Sequence, residues 1–277
     1  MSEINNWINQ VHQGDCLKKL QQIPENSVDL IIADPPYNLS SGSEMNYDGG
    51  GSGDFGGDWN QVNEDWDGFT IENYEIFTNK WISQCKKILK NSGSIIIFGT
   101  YHNIGFVNIS LQDNKLEILN EIIWYKRNAF PNLSQARLTA SHENILWAYK
   151  GQDKDYTFNY DWIKETKWSS DSFDKSNTQV RTVWNIPNNK SKEEKNCDHP
   201  TQKPLSVIDR LVQMASNQGD IILDPFAGSG TSLVSAKKHG RDYIGIEKEK
   251  GFVDLSKNRL ESVKRVNKNN DDSVFNY

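Results

Sequence analysis

Ile221-Ile222-Leu223-Asp224-Pro225-Phe226-Ala227-Gly228-Ser229-Gly230-Thr231 is a short apolar strand running into an acid and a glycine-punctuated turn. A helical pattern follows from Thr231 to His239 and stops at Gly240. A second strand, Tyr243-Ile244-Gly245-Ile246-Glu247, ends in an acid 23 positions after Asp224. Strand, glycine turn, helix, strand and terminal acid form one half of a nucleotide-binding α/β fold. The glycines let the backbone approach a ligand that any Cβ would block. Glu247, at a strand tip, is placed to accept hydrogen bonds from ribose hydroxyls. After Gly230 come Thr231, Ser232 and Leu233, a departure from G-x-G-x-x-G, so a dinucleotide pyrophosphate is not the favoured ligand. A turn of this kind can also serve only to tighten a β–α corner; the flanking strand and acid favour a nucleoside-type cofactor.

Far upstream stands Asp34-Pro35-Pro36-Tyr37, at the end of the apolar run Val28 to Ala33. Each proline fixes its own φ and drives the preceding residue towards extended geometry. The Pro35 carbonyl then cannot fold back into a helix. A carboxylate, a carbonyl and an aromatic ring at a strand's carboxyl end suit a flat molecule bearing an NH₂ group: two acceptors for two hydrogens, and a face for stacking. In isolation the tetrapeptide could be a proline-rich turn with a capping aspartate.

Together the two motifs resemble the amino-methyltransferases that modify DNA bases with S-adenosylmethionine, in which D-P-P-Y is the catalytic motif and D-P-F-A-G-S-G the cofactor loop. Here the catalytic motif precedes the cofactor loop, an order similar to that of the β subgroup, whose sheet is entered at a circularly permuted point. Gly14-Asp15-Cys16 looks like the segment carrying the acid that meets the adenine end of the cofactor. His199-Pro200-Thr201-Gln202-Lys203-Pro204 looks like the segment that covers its methionine end. The resemblance spans about residues 10 to 260. It implies a Rossmann-like α/β fold with a mixed, mostly parallel sheet and helices on both faces. It implies Asp34, Pro35, Pro36 and Tyr37 as catalytic residues. Cofactor contacts would come from Asp15, Cys16, Asp34, His199, Thr201, Lys203, Asp224, Phe226, Ala227, Gly228, Ser229, Gly230, Thr231 and Glu247.

Composition agrees with a protein of this kind. The chain has 277 residues, 25% charged and 36% hydrophobic, enough for one large domain with its own core. No apolar stretch approaches a membrane span, and no basic-then-apolar leader opens the chain. Three cysteines, Cys16, Cys85 and Cys197, are distant and odd in number, which points to a reducing cytoplasm rather than a disulfide framework. Cys197 and His199 without a second pair do not make a zinc site. The net charge of −6 looks wrong for a DNA-binding protein, but the acidity is concentrated. Residues 1–80 hold 3 Lys/Arg against 14 Asp/Glu, and seven acids fall between Glu44 and Asp67 with no base. The remainder could build a DNA surface from Lys126, Arg127, Arg137, Lys164, Lys167, Arg181, Lys190, Lys192 and Lys195; each taken singly could be a scattered solvated charge.

The segment 38–67 is rich in Gly, Asp, Asn and Ser and leaves directly from the catalytic motif. We expect a mobile loop, either a lid over DNA or a passive insertion. Helical spacing predicts a helix over Thr70 to Lys90, with Ile71, Tyr74, Phe77, Trp81, Cys85 and Ile88 near one face and Gly93 as its stop. Strands are expected at Ser94–Phe98, Leu116–Lys126 and Asn144–Tyr149, and a helix from Lys203 to Ala215. Residues 128–181 mix aromatic, amide and basic side chains without long periodicity. The resemblance places target recognition at about 129–195, where Arg, Lys, Asn and Gln can read base edges.

These residues imply flipping of the target base, acceptance of its amine hydrogens by Asp34 and the Pro35 carbonyl, and stacking on Tyr37. The resemblance implies double-stranded DNA as the partner. In the family an aspartate opening the tetrapeptide usually accompanies the 6-amino group of adenine and a serine the 4-amino group of cytosine; both bases present an NH₂. The Pro-Cys pair of carbon-5 cytosine enzymes is absent. Three other classes stay open: an RNA or protein amide methyltransferase, whose tetrapeptide usually opens with asparagine; a nicotinamide-dependent oxidoreductase; and a non-catalytic DNA-binding module. The subgroup often pairs, which admits a homodimer, and the chain could either accompany a restriction endonuclease or act alone in regulation.

Overall fold

The structure, a computed structural model, describes residues 3–38, 69–129, 131, 136–151, 153–166, 179–188 and 202–265. Its strands are β1 (Gln10–Gln13), β2 (Val28–Ala33), β3 (Leu89–Gly99), β4 (Glu117–Tyr125), β5 (His142–Tyr149), β6 (Val183–Asn185), β7 (Ile221–Asp224) and β8 (Asp242–Glu247). They form one sheet in the order β1-β8-β7-β2-β3-β5-β4-β6. Among these described strands β5 alone runs antiparallel to its neighbours. The sheet is therefore mixed and mostly parallel, as expected from the sequence.

Helices cover both faces. Against one lie α1 (Cys16–Leu20), α2 (Ile71–Ile88) and α3 (Ile104–Asp113), packed on Ile31, Ala33, Ile95, Ile97, Ile244 and Ile246. Against the other lie α4 (Tyr160–Glu165), α5 (Leu205–Ala215), α6 (Thr231–Lys238) and α7 (Lys250–Ser262), packed on Leu30, Ile32, Ile96, Phe98 and Ile222. Alternation along β3 shows the logic: Ile95 and Ile97 enter one layer, Ile96 and Phe98 the other. Strands buried on both faces read as continuous apolar runs, which explains Ile95-Ile96-Ile97-Phe98. The acid inside β2 has a separate purpose. Asp29 accepts from the Ile221 amide at 2.9 Å and from Lys90 Nζ at 2.7 Å, tying β2 to β7 and to β3.

Several boundaries differ from the sequence reading. The Thr70 side chain caps α2 by accepting from the Asn73 amide at 3.3 Å. The helix ends at Ile88, where the chain passes straight into β3, so Gly93 lies within a strand and stops nothing. Ile71, in the first turn, is 66% exposed, and Ile82 takes its place in the buried stripe. No helix among the described residues is long and apolar enough to cross a membrane. The 38–67 segment falls outside the described residues except for Asn38, whose Oδ1 accepts from the Phe69 amide at 2.9 Å.

Gly245 lets α6 seat closely on β8, because a Cβ there would stand 2.5 Å from Leu233 Cδ1 in the buried layer. Gly245→Ala should therefore cost about 1–3 kcal/mol as overpacking, read from the urea midpoint. A wild-type midpoint would show that this contact is not tight.

Candidate active site

The chain leaves β2 towards β3 and leaves β7 in the opposite direction, towards β8. Where neighbouring parallel strands diverge like this, a crevice opens at their carboxyl ends. The register pairs Leu30 with Ile222 and Ile31 with Leu223, so the neighbouring strand ends carry Asp34 and Asp224 into the same crevice. It holds a cavity of about 340 Å³. One part of its wall is Asp34, Pro35, Pro36, Tyr37 and Lys203; another is Asp224 to Ser229 with Glu247; Asp15 and Cys16 close a third side. Phe69, Phe77, Phe98, Ile246 and Phe252 supply apolar surface between them.

Both oxygens of the Asp34 carboxylate are engaged. Tyr37 Oη donates to Oδ1 at 2.6 Å, and Lys203 Nζ donates to Oδ2 at 2.6 Å. Glu143, on β5, lies behind them. Its Oε2 is 3.2 Å from Tyr37 Oη and 3.5 Å from Lys203 Nζ, and its Oε1 accepts from Lys126 Nζ at 2.5 Å. Burial works against the Glu143 charge, but Lys203 and Lys126 outweigh it and hold the acid below the usual range. Burial likewise works against Lys203, and Asp34 and Glu143 keep it above the usual lysine range. Tyr37 is driven well above its ordinary value by burial, then by the Asp34 and Glu143 charges. The Pro36 carbonyl is taken by Tyr74 Oη at 2.7 Å, and Asn103 Nδ2 in turn donates to that Oη at 3.1 Å. Among the described residues no donor takes the Pro35 carbonyl, the one that the sequence singled out.

The glycine turn is held from outside the cavity. Gly228 and Gly230 have φ of +50° and +76°. A Cβ on Gly230 would meet Ser256 at 3.0 Å. Ser256 Oγ donates to the Gly228 carbonyl at 2.6 Å, and Arg259 Nη1 donates to the Ser229 carbonyl at 2.6 Å, both from α7. Glu247 accepts from the Gly228 amide and the Glu249 amide, each at 2.8 Å, one on each oxygen. Each oxygen keeps a second lone pair for a hydroxyl. Asp15 caps α1 through Oδ1, 3.1 Å from the Lys18 amide. Burial, with Asp15 next, pushes the Cys16 thiol up to about 12, so this sulfur is no nucleophile.

Of the residues singled out in the sequence, Asp15, Cys16, Asp34 to Tyr37, Lys203, Asp224, Phe226 to Ser229, Thr231 and Glu247 share the one cavity. Gly230 shapes the turn without lining it. His199 and Thr201 lie outside the described residues, as do Lys167, Lys190, Lys192 and Lys195. Lys126, a candidate for the DNA surface, is turned onto Glu143, with 19% of its side chain exposed. Glu143, Tyr74, Asn103, Ser256 and Arg259 had no signal in the sequence, since each meets the site only through a long-range contact.

A family model described as DNA methylase matches residues 28–258. The chain belongs to this DNA methylase family. It is 36% identical over 267 residues to the type II methyltransferase M.HinfI of Haemophilus influenzae, covering 94% of this chain and 70% of the relative. It is 38% identical over 255 residues to the type II methyltransferase M2.DpnII of Streptococcus pneumoniae, covering 92% and 90%. Among solved structures, the M1.HpyAVI–SAM complex is similar with a TM-score of 0.63 and 26% identity, over 91% of this chain and 98% of that one. PvuII DNA methyltransferase, described as cytosine-N4-specific, shares the fold at a TM-score of 0.68 and 18% identity, over 94% and 87%. This DNA methylase is an enzyme that transfers a methyl group from S-adenosylmethionine to DNA.

The cavity's donor set fits that cofactor. Asp34 and Lys203 in its wall pair with each other, and the remaining acids, Asp15, Asp224, Glu247 and Glu249, face the single charge of Lys248, which favours a cationic guest. Gln202 Oε1 is buried in the cavity wall with no partner among the described residues, an acceptor suited to an ammonium group. Asp224 itself accepts from the Phe226 amide at 2.9 Å and from Ser232 Oγ. Burial pushes its carboxyl up to about 7; those two hydrogen bonds oppose the rise, and the Asp34 and Glu247 charges add to it.

A raised native value means a contribution to stability that is fully present below the ordinary 3.8 and is lost as pH rises through about 7. Asp224→Asn cannot ionise. Relative to wild type without cofactor, it should gain stability between pH 5 and pH 8 by on the order of 1 kcal/mol or more, measured by urea unfolding. An equal wild-type–variant difference at both pH values would contradict the raised value.

Proposed function

We propose that this DNA methylase is site-specific and acts on the 6-amino group of adenine, with Asp34, Pro35, Pro36 and Tyr37 as its catalytic segment. The observation that carries this reading is one cavity lined by both Asp34-Pro35-Pro36-Tyr37 and the Asp224–Thr231 turn, so that the acceptor of an amine and the loop for the cofactor face the same space. Asp34 at the head of the tetrapeptide favours adenine over cytosine.

An exocyclic amine inside a duplex is paired and stacked, so the base must be flipped out at a cost of a few kcal/mol. Tyr37 offsets about 1–3 kcal/mol of this by stacking. Asp34 and the Pro35 carbonyl accept the two amine hydrogens, which draws the nitrogen lone pair out of ring conjugation. The Asp34 charge then stabilises the positive charge that develops on nitrogen, and orientation supplies much of the remainder. S-adenosylmethionine bound at the turn supplies an electrophilic methyl group on a sulfonium. Glu247 would hold the ribose hydroxyls, Asp15 and the Cys16 backbone the adenine end, and Lys203, with His199 and Thr201, the methionine end.

The proposal extends to a single domain over residues 1–277, target recognition within 129–195 and a lid role for 38–67. The type II names of the relatives support a restriction–modification setting with a cognate endonuclease, and three distant cysteines favour the cytoplasm. Pairing into a homodimer follows from the subgroup resemblance.

Single-molecule sequencing of DNA from cells expressing the chain tests base and site together. Modified adenine in one short sequence is expected; 4-methylcytosine would overturn the adenine assignment. Asp34→Ala should keep cofactor affinity close to wild type in calorimetry while methylation falls by at least about 10²–10³-fold, the loss expected from removing one charge-stabilising group. Near-normal turnover would remove Asp34 from the mechanism.

A further inference from the structure

Asp34 is occupied by the chain's own donors. Tyr37 Oη holds Oδ1 and Lys203 Nζ holds Oδ2, both at 2.6 Å. A target amine that is to donate to this carboxylate must compete with both. Lys203 also neutralises the negative charge that the mechanism needs beside the reacting nitrogen. Simply expelling these groups is unfavourable, because Lys203 is buried and a buried ammonium or hydroxyl without a partner is destabilised.

One group can receive both. Glu143 Oε2 already stands 3.2 Å from Tyr37 Oη and 3.5 Å from Lys203 Nζ. Its other oxygen is pinned by Lys126, whose own amide donates to the Ser141 carbonyl at 2.7 Å where β4 meets β5. Glu143 sits on an inner strand of the sheet, 7% exposed, so its position is fixed. Asp34, Glu143, Lys126 and Lys203 sum to zero charge. Transfer of Lys203 from one acid to the other keeps that balance. The rings of Tyr37 and Phe98 flank the ammonium at 5.1 and 5.4 Å in the starting position.

We propose that Glu143 is a positioning residue that takes over Tyr37 Oη and Lys203 Nζ when the target amine engages Asp34, freeing the catalytic carboxylate without leaving either donor unpaired. No covalent bond changes; two hydrogen bonds exchange acceptors. The proposal rests on the assignment of Asp34 as the amine's acceptor.

The test uses the full chain, tritiated S-adenosylmethionine and a duplex carrying the sequence mapped in expressing cells. Glu143→Gln keeps the size and removes the charge. Its cofactor affinity should stay within about threefold of wild type, and its single-turnover rate at saturating DNA should fall at least about tenfold. A purely structural Glu143 would instead weaken cofactor binding or lower the unfolding midpoint in step with activity. Tyr37→Phe keeps the ring and removes one of the donors to be received. In that background the Glu143→Gln loss should shrink by at least about threefold. A rate within twofold of wild type, a loss explained by cofactor affinity, or equal losses in both backgrounds would each overturn the proposal. If the Gln variant does not fold, Glu143→Asp retains the charge but draws it back by one methylene. Its rate should then fall at least about fivefold with cofactor affinity kept, and a wild-type rate would overturn the proposal. Wild-type chain that methylates no adenine would instead remove the underlying functional reading.

Discussion

The parallel pairing of β2 with β7 is the constraint from which the site follows. Leu30 lies beside Ile222 and Ile31 beside Leu223, although about 190 positions separate them in the chain. Both strands are buried on both faces, and Asp29 fastens them further by accepting the Ile221 amide. Because the chain departs from the two strands in opposite directions, a crevice opens beyond their ends. Asp34 and Asp224 therefore enter a shared space by virtue of register, and neither motif alone could form that space.

Within that space the electrostatics divide into two halves. The half around Glu143 is balanced, with two lysines and two acids in mutual contact. The half around Asp224 holds a carboxyl that burial first, and the Asp34 and Glu247 charges after it, push up to about 7. A guest with a positive centre relieves the second half, whereas a neutral base edge is handled by exchange of hydrogen bonds in the first. The apolar surface of Phe77, Phe98, Ile246 and Phe252 keeps both halves in a medium where such differences count.

The parts of this arrangement that were legible in the sequence are local. Val28–Ala33 and Ile221–Asp224 announce themselves as strands by apolar run and flanking breakers, and the glycine turn follows β7 where the sequence placed it, with Gly228 and Gly230 at positive φ. The α2 face was legible because Tyr74, Trp81, Cys85 and Ile88 repeat with helical period. Its end was misread: Gly93 drew attention as a terminator, but direct passage into β3 made a separate stop unnecessary. Glu143 and Lys126 were illegible as site residues. Each looks like an ordinary charge in or beside a strand, and their closeness depends on β5 running antiparallel between β3 and β4. Arg259 and Ser256 escaped for the same reason: α7 shows a polar pattern whose meaning appears only once it backs the glycine turn.

The outermost strand of the cofactor half has a different implication. β1 is the first of the described strands, yet its sheet partner is β8, the last of them, with Gln10 against Ile244 and Gln13 against Glu247. On a ribosome β1 must wait for β8, made long after it, before this pairing can form. The sheet cannot assemble in the order of synthesis, and its closure joins sequence-distant ends late, the kind of connectivity that slows folding and lengthens the exposure of apolar edges to other chains.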